Sequence, residues 1–248
     1  MEQVRLVLIR GLLRDARHWG DFKSLLQQRF PDIPVLTPDI PGNGRLNQLT
    51  SHDTISGMTE ALRRQIAVPK NLRLIAVSMG GMIAIDWMTR YPDEVQYAVI
   101  INTSLRNLSP FYQRLRWTAY PRIIKMVLAS ILQRKIDIEA DILTLTSNRH
   151  NGDHELLAHW QQWQQQHPIS LTSAINQCRA AVRFSNALQL QQPVLIIASK
   201  ADRLVDYRCS VKLARVLQAD YVQHATAGHD LPLDEPEWLA NMIDAWFH

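Results

Sequence analysis

The chain has 248 residues, 46% of them apolar, which is enough for one domain with a substantial core and excludes wholesale disorder. Lysine and arginine number 27 against 23 acidic residues, a net charge of +4 that is too mild to argue for a nucleic-acid partner. No run reaches the roughly 18 apolar residues of a membrane span, and the apolar part of Met1 to Gly11 is too short and too charged for a signal peptide, so a cytoplasmic protein without stable membrane insertion is expected.

Short β-branched runs alternate with helical stretches, the pattern of a parallel sheet with helices on both faces, an α/β fold. In chain order, strands are expected at Val4 to Ile9, Val35 to Thr37, Leu72 to Val77, Tyr97 to Ile101, Val194 to Ala198 and Tyr221 to His224. Helices are expected over His18 to Arg29, Ile55 to Ala67, Met79 to Arg90, Asp206 to Leu217 and Glu235 to Phe247. The last has a capping-box start, with Asp234 at the cap and Glu237 three residues on. The alternation stops after Asn102, and residues 103–192 read as a helical insertion between core segments 1–102 and 193–248. Two sets of residues in it, Ile123, Ile124, Val127, Leu128 and Ile131, then Leu156, Trp160 and Trp163, fall on single helical faces and are expected to bury against the domain. Cys178 and Cys209 form no disulfide framework or CxxC pair and read as buried thiols.

Six of the nine glycines, Gly11, Gly42, Gly44, Gly80, Gly81 and Gly228, fall just past expected strands, where an open parallel sheet forms its ligand crevice. A nucleotide site is disfavoured, because Asn47 stands where the third glycine of a GxGxxG loop belongs and no GxxxxGK[ST] occurs. The segment Ala76-Val77-Ser78-Met79-Gly80 is more informative: an apolar strand runs into a serine and then a helix, with small residues two before and two after it. Such a serine sits on a strained turn that tolerates little at the flanking positions, and it stands at a helix amino end that favours developing negative charge. Taken alone it could merely cap the helix. Asp202 after the fifth strand and His229 after the sixth change that reading, since an imidazole activates a serine hydroxyl and a carboxylate fixes the tautomer of the imidazole.

These motifs resemble the α/β-hydrolase fold family over nearly the whole chain. They are Ile9-Arg10-Gly11-Leu12, Asp39-Ile40-Pro41-Gly42-Asn43-Gly44, Val77-Ser78-Met79-Gly80-Gly81, Asp202 and Gly228-His229. The resemblance implies six parallel strands, a helical cap at 103–192, a Ser78-Asp202-His229 triad and an oxyanion hole from the amides of Leu12 and Met79. Ala76 departs from the usual glycine, Arg10 from the common histidine and Asn43 from a common histidine or phenylalanine, and the amino-terminal hairpin of many relatives is expected to be absent.

Arg10 is a candidate partner for a substrate carboxylate, with a structural ion pair as the alternative. Trp117, Trp160 and Trp163 are candidate acyl-pocket aromatics, at least one of them destined for core packing. Asp206 reads as a helix cap, Asp39 and Asp86 as structural, and Asp230 as pointing away from the His229 ring. His150, His154 and His159 with Asp153 and Glu155 match no zinc spacing, so neither a metal nor an organic cofactor is expected. Between Ser104 and Ile136 stand Arg106, Arg114, Arg116, Arg122, Lys125, Arg134 and Lys135 with no acidic residue, either a solvated face or a dock for an anionic carrier. The expected function is therefore serine hydrolysis of a small-molecule ester or thioester, with a histidine base near its reference pKa of about 6.5. Acyl transfer, perhydrolysis, lyase chemistry or a non-catalytic binding role on the same fold stay open.

Overall fold

The computed structural model describes residues 3–67, 69–131 and 137–247. The sheet has six strands, β1 (Arg5–Ile9), β2 (Val35–Leu36), β3 (Leu72–Val77), β4 (Val95–Ile101), β5 (Val194–Ser199) and β6 (Asp220–His224), in the order β2-β1-β3-β4-β5-β6. Every pairing is parallel. All carboxyl ends therefore share one rim.

The four central strands are apolar on both faces because helices cover both. Val7, Ile9, Leu74, Ala76, Ile100 and Ile196 face one layer, which includes α2 (Ile55–Arg63), α3 (Met79–Arg90) and α9 (Arg208–Leu217). Leu6, Leu8, Ile75, Val77, Val99 and Ile197 face the other, which includes α1 (Asp21–Arg29) and α11 (Pro236–Phe247). Between β4 and β5 the described residues form α4 (Phe111–Arg114), α5 (Tyr120–Ile131), α6 (Ile138–Thr146), α7 (His154–Gln166) and α8 (Leu171–Arg183), with a 3-10 turn at Trp117–Ala119. A short α10 (Leu231–Asp234) precedes α11.

The structure differs from the sequence expectations at several points. The helix expected from His18 begins as a 3-10 turn, Ala16–Trp19, and Gly20 at φ 50° breaks it before α1, a conformation open to a residue without Cβ. The α2 helix stops at Arg63 rather than Ala67. Asp234 does not cap α11, because its carboxylate accepts from Gly228 N, Ser147 Oγ and Asn148 N, while Glu237 lies near Arg29. Ile124, Val127 and Leu128 of α5 are not buried but 56%, 51% and 51% exposed; among the described side chains of this helix Ala129 is the buried one, and the side chain of Ile131 lies outside the described residues. Cys209 is buried and Cys178 is exposed on α8. Among the described residues no helix is long and apolar enough to cross a membrane.

Candidate active site

Ser78 joins β3 to α3. Its backbone stands at φ 58° and ψ −120°, outside the wells that a serine ordinarily occupies, and its surroundings hold it there. Its amide extends the β-ladder to Ile101 O at 2.8 Å, and its carbonyl accepts from Thr103 Oγ1 at 2.9 Å and Gly81 N at 3.0 Å. The turn leaves no room for even a methyl: a Cβ on Gly80 would lie 2.3 Å from Ile9 O, and one on Gly81 would lie 2.1 Å from Thr103 Oγ1. Gly11 also packs on the serine, since its Cβ would come within 3.0 Å of Ser78 Cβ. The loop carrying Leu12 is thereby pressed against Ser78, and Met79 opens α3 directly after it.

His229 Nδ1 and Asp202 Oδ2 are 2.6 Å apart, both side chains almost wholly buried. The other oxygen of Asp202 accepts from Leu204 N at 2.7 Å and Val205 N at 2.9 Å, so the carboxylate is fixed by its own loop. With Asp202 on Nδ1, Nε2 is the imidazole nitrogen left to take a proton. Burial, the largest single influence, disfavours a charged His229, but the Asp202 carboxylate and then Asp230 more than offset it, and the net shift is upward. The ordinary histidine value expected from sequence is corrected accordingly.

Sequence reasoning missed how this loop is anchored. Asn102, at φ 50° just past β4, donates to His229 O at 2.8 Å and to Ser199 Oγ at 3.1 Å, while its Oδ1 accepts from Ser199 N at 2.8 Å. An asparagine at the carboxyl end of a central strand was the available signal, because asparagine tolerates the left-handed region. Residues 146–149 hold the loop from the other side: Asp230 N donates to Thr146 O at 2.8 Å, and a Cβ on Gly228 would lie 2.6 Å from that carbonyl.

Arg10 takes up the structural alternative. Its terminal nitrogens contact Asp230 at 3.0 and 2.6 Å, and its guanidinium lies over Trp19. Both ends of the fork are engaged with a buried carboxylate, so the substrate-carboxylate role is not carried forward. Asp230 accordingly turns to Arg10, and Asp206 accepts from Arg208 N at 2.9 Å at the start of α9. Asp39 accepts from Ala16 N and Arg45 N, and burial raises its pKa.

The three tryptophans part company. Trp117 is 74% exposed, Trp160 is fully buried with Arg14 stacked 4.4 Å over it, and Trp163 lies between His18, His159 and Arg17. Trp160 and Trp163 therefore seal α7 onto the loop after β1. There Arg14 reaches Glu139 of α6 at 2.7 Å and His18 Nε2 at 3.1 Å. Because a guanidinium only donates, Nε2 accepts from Arg14, while Nδ1 faces both the Asp15 N–H at 3.2 Å and the Asp15 carboxylate at 3.3 Å. Burial and then the Arg14 charge keep His18 neutral by lowering its pKa.

The basic run is mostly committed. Arg114 donates to the carbonyls of Ala181 and Val182, Arg116 to Asp202 O at 2.9 Å, and Lys125 pairs with Asp141 at 2.8 Å, with Arg122 at 4.0 Å from the same carboxylate. Arg106 is exposed; Arg134 and Lys135 lie outside the described residues. His150 pairs with Asp153, which caps α7, and among the described residues no group of three His, Cys, Asp or Glu side chains is disposed to hold a metal.

Residues 6–242 match the alpha/beta hydrolase family. The biotin biosynthesis bifunctional protein BioHC of Teredinibacter turnerae is 25% identical over 97% of this chain and 44% of its own length. The pimeloyl-[acyl-carrier protein] methyl ester esterase of Chromobacterium violaceum is 29% identical over 36% of this chain and 34% of its own. The chain thus spans less than half the length of these curated relatives in the matched regions. Among solved structures, a putative non-heme bromoperoxidase BpoC from Mycobacterium tuberculosis superposes with a TM-score of 0.76 at 21% identity, covering 98% of this chain and 91% of that one. An esterase from Thermogutta terrifontis gives 0.74 at 19% identity, covering 98% and 89%.

Proposed function

Because the chain belongs to the alpha/beta hydrolase family, we propose that it is a serine hydrolase of carboxylic esters or thioesters in which Ser78, His229 and Asp202 form the catalytic triad. The observation that carries the reading is the coincidence, at one rim, of a serine in a strained left-handed turn with a buried imidazole whose Nδ1 is 2.6 Å from a carboxylate.

The chemistry follows from these groups. His229 Nε2 accepts the Ser78 proton as Oγ attacks the carbonyl carbon, and Asp202 stabilises the imidazolium that forms. The amides of Leu12 and Met79 receive the oxyanion; removing one such donor typically costs roughly 3–4 kcal/mol of barrier lowering. The imidazolium returns its proton to the departing alcohol or thiol, leaving an acyl group on Ser78. Water, deprotonated by the same nitrogen, then releases the acid. Every atom comes from the chain, the ester and water, so the scheme calls for no metal or organic cofactor.

The relatives named for a pimeloyl-carrier methyl ester and for biotin synthesis support an ester borne on an anionic carrier as the substrate. Arg122 and Lys125 share the single carboxylate of Asp141, so together with the exposed Arg106 they leave net positive charge on this segment to meet such a carrier. Rising salt is then expected to depress kcat/KM on carrier-borne esters more than on neutral short esters; equal sensitivity removes the carrier from the reading.

A fluorophosphonate probe tests the core of the proposal. Labelling of wild type at Ser78, lost together with hydrolysis across an ester and thioester panel in Ser78→Ala, is the expected result. Wild type that hydrolyses nothing and takes no label is a binding protein instead. An added acyl acceptor that diverts the product away from the free acid marks a transferase.

A further inference from the structure

The loop that carries Leu12 is anchored from α8, more than 160 residues away. Leu13 sits at φ 57°, a conformation that a leucine does not keep unaided, and its N–H donates to Gln177 Oε1 at 2.9 Å. The carbonyl of Arg14, one residue on, accepts from Asn43 Nδ2 at 2.9 Å. Gln177 Nε2 closes the circuit by donating to Asn43 Oδ1 at 2.6 Å and to Ser51 Oγ at 2.9 Å, and the Ser51 hydroxyl passes its own proton to Pro41 O.

Both Gln177 and Asn43 are completely buried. The sense of the network is fixed at its ends, because Leu13 N–H can only donate and the carbonyls of Arg14 and Pro41 can only accept. Each side-chain amide therefore has one orientation. Replacing Gln177 with an apolar residue leaves the Leu13 amide and Asn43 Oδ1 unsatisfied at once.

We infer that Gln177 is a positioning residue for the oxyanion hole, through which helix α8 sets the orientation of the Leu12 amide. The inference rests on the serine-hydrolase reading of Ser78. The peptide between Leu12 and Leu13 is held by Gln177, and the one after Arg14 by Asn43. Those two clamps fix the backbone on either side of the left-handed residue, while Gly11 has no slack against Ser78. The Leu12 N–H is thus aimed before the substrate arrives, and preorganised donors of this kind act on the transition state more than on the bound substrate.

The experiment compares full-length wild type with Gln177→Leu, Gln177→Glu and Asn176→Ala. Asn176 also bridges α8 to the same region, but its hydrogen bond goes to Ser51 O, at 2.9 Å, and not to the backbone of the Leu12 loop. Three readouts are taken: the rate constant for fluorophosphonate labelling of Ser78, kcat and KM on p-nitrophenyl butyrate, and inhibition by an aryl trifluoromethyl ketone, which mimics the tetrahedral adduct. Gln177→Leu is expected to lower the labelling rate and kcat roughly 10- to 100-fold, with KM within about 3-fold, and to weaken the ketone by a matching factor. Gln177→Glu keeps an acceptor for Leu13 and is expected to retain more kcat than Gln177→Leu. Asn176→Ala is expected to stay within about 2-fold of wild type, as a substitution outside the transition-state contacts should.

A purely structural role predicts otherwise, and either of its signatures overturns the inference: a lower Tm with kcat per labelled Ser78 unchanged, or an equal loss in Asn176→Ala. Should Gln177→Leu fail to fold, Gln177→Met takes its place as the variant without an acceptor for Leu13 N–H: loss of kcat that tracks ketone affinity upholds the role, and kcat equal to wild type defeats it. Wild type that takes no label overturns the serine-hydrolase reading instead, so the two failures are told apart.

Discussion

At the rim of the sheet, polar side chains aim at backbone groups of neighbouring loops: Asn102 at His229 O, Asp202 at Leu204 N and Val205 N, Asp234 at Gly228 N. On the outside of the 103–192 segment, α5 turns Ile124, Val127 and Leu128 into solvent and ties itself down with surface ion pairs to Asp141. The difference teaches where specification resides. Backbone-directed hydrogen bonds in a buried setting hold one geometry, because every alternative strands a donor or acceptor. Exposed apolar residues and screened charges hold no geometry so firmly.

The comparison breaks most readily at Asp202. In Asp202→Asn the amide oxygen can still accept from Leu204 and Val205, which turns the NH2 toward His229 Nδ1 and forces the ring proton onto Nε2, where it blocks proton uptake. A loss of about 10⁴-fold in kcat with little change in Tm is expected; a loss of only a few-fold in ester assays would mean that the carboxylate does not set the tautomer.

Next in size is the ion pair between Arg14 and Glu139, which joins the rim to α6 and is nearly excluded from water at both ends. Arg14→Met leaves Glu139 charged and unpaired, and denaturant titration should show about 3–5 kcal/mol of destabilisation. Removing both partners together should cost less than removing either one. At the elbow, Gly80→Ala drives a methyl into Ile9 O and is expected to cost about 1–3 kcal/mol, read as a lower denaturation midpoint at constant m.

The pH dependence is subtler. His229 binds its proton more tightly folded than unfolded, so its stabilising contribution is complete below the unfolded value of about 6.5 and disappears as pH climbs through the raised folded value. By the same shift, kcat/KM should rise with a midpoint above 6.5. Asp230→Asn removes a nearby negative charge and leaves Arg10 uncompensated, and both changes move that midpoint to lower pH. A profile unchanged by Asp230→Asn would show that the Arg10–Asp230 pair does not act on the imidazole. Smallest of all, Ile124→Gln, Val127→Gln and Leu128→Gln should each stay within about 0.5 kcal/mol of wild type in thermal unfolding, as exposed positions do; a larger loss would give α5 a partner that the described residues do not show.

Much of the sheet was legible because strand periodicity and the turn glycines are local signals: β3 and α3 were delimited to the residue. So were the positions of Ser78, Asp202 and His229, each of which follows a strand. What the sequence concealed was remote pairing. Arg10 and Asp230 are 220 residues apart, Asn102 and His229 are 127 apart, and Asp234 trades the capping role that its own neighbourhood suggests for donors on Ser147 and Asn148. Periodicity also misjudged α5, since an apolar stripe records a capacity for burial and not the presence of a covering surface.

The manifold of donors around Asp234 also bears on engineering. Grafting a foreign lid onto this scaffold by cutting out 103–192 would strip that carboxylate of Ser147 Oγ and Asn148 N, leaving Gly228 N as its surviving short contact. Residues 146–149 are therefore best kept as a transplanted hinge, or Asp234 replaced by an uncharged side chain, in any chimera meant to preserve the position of His229.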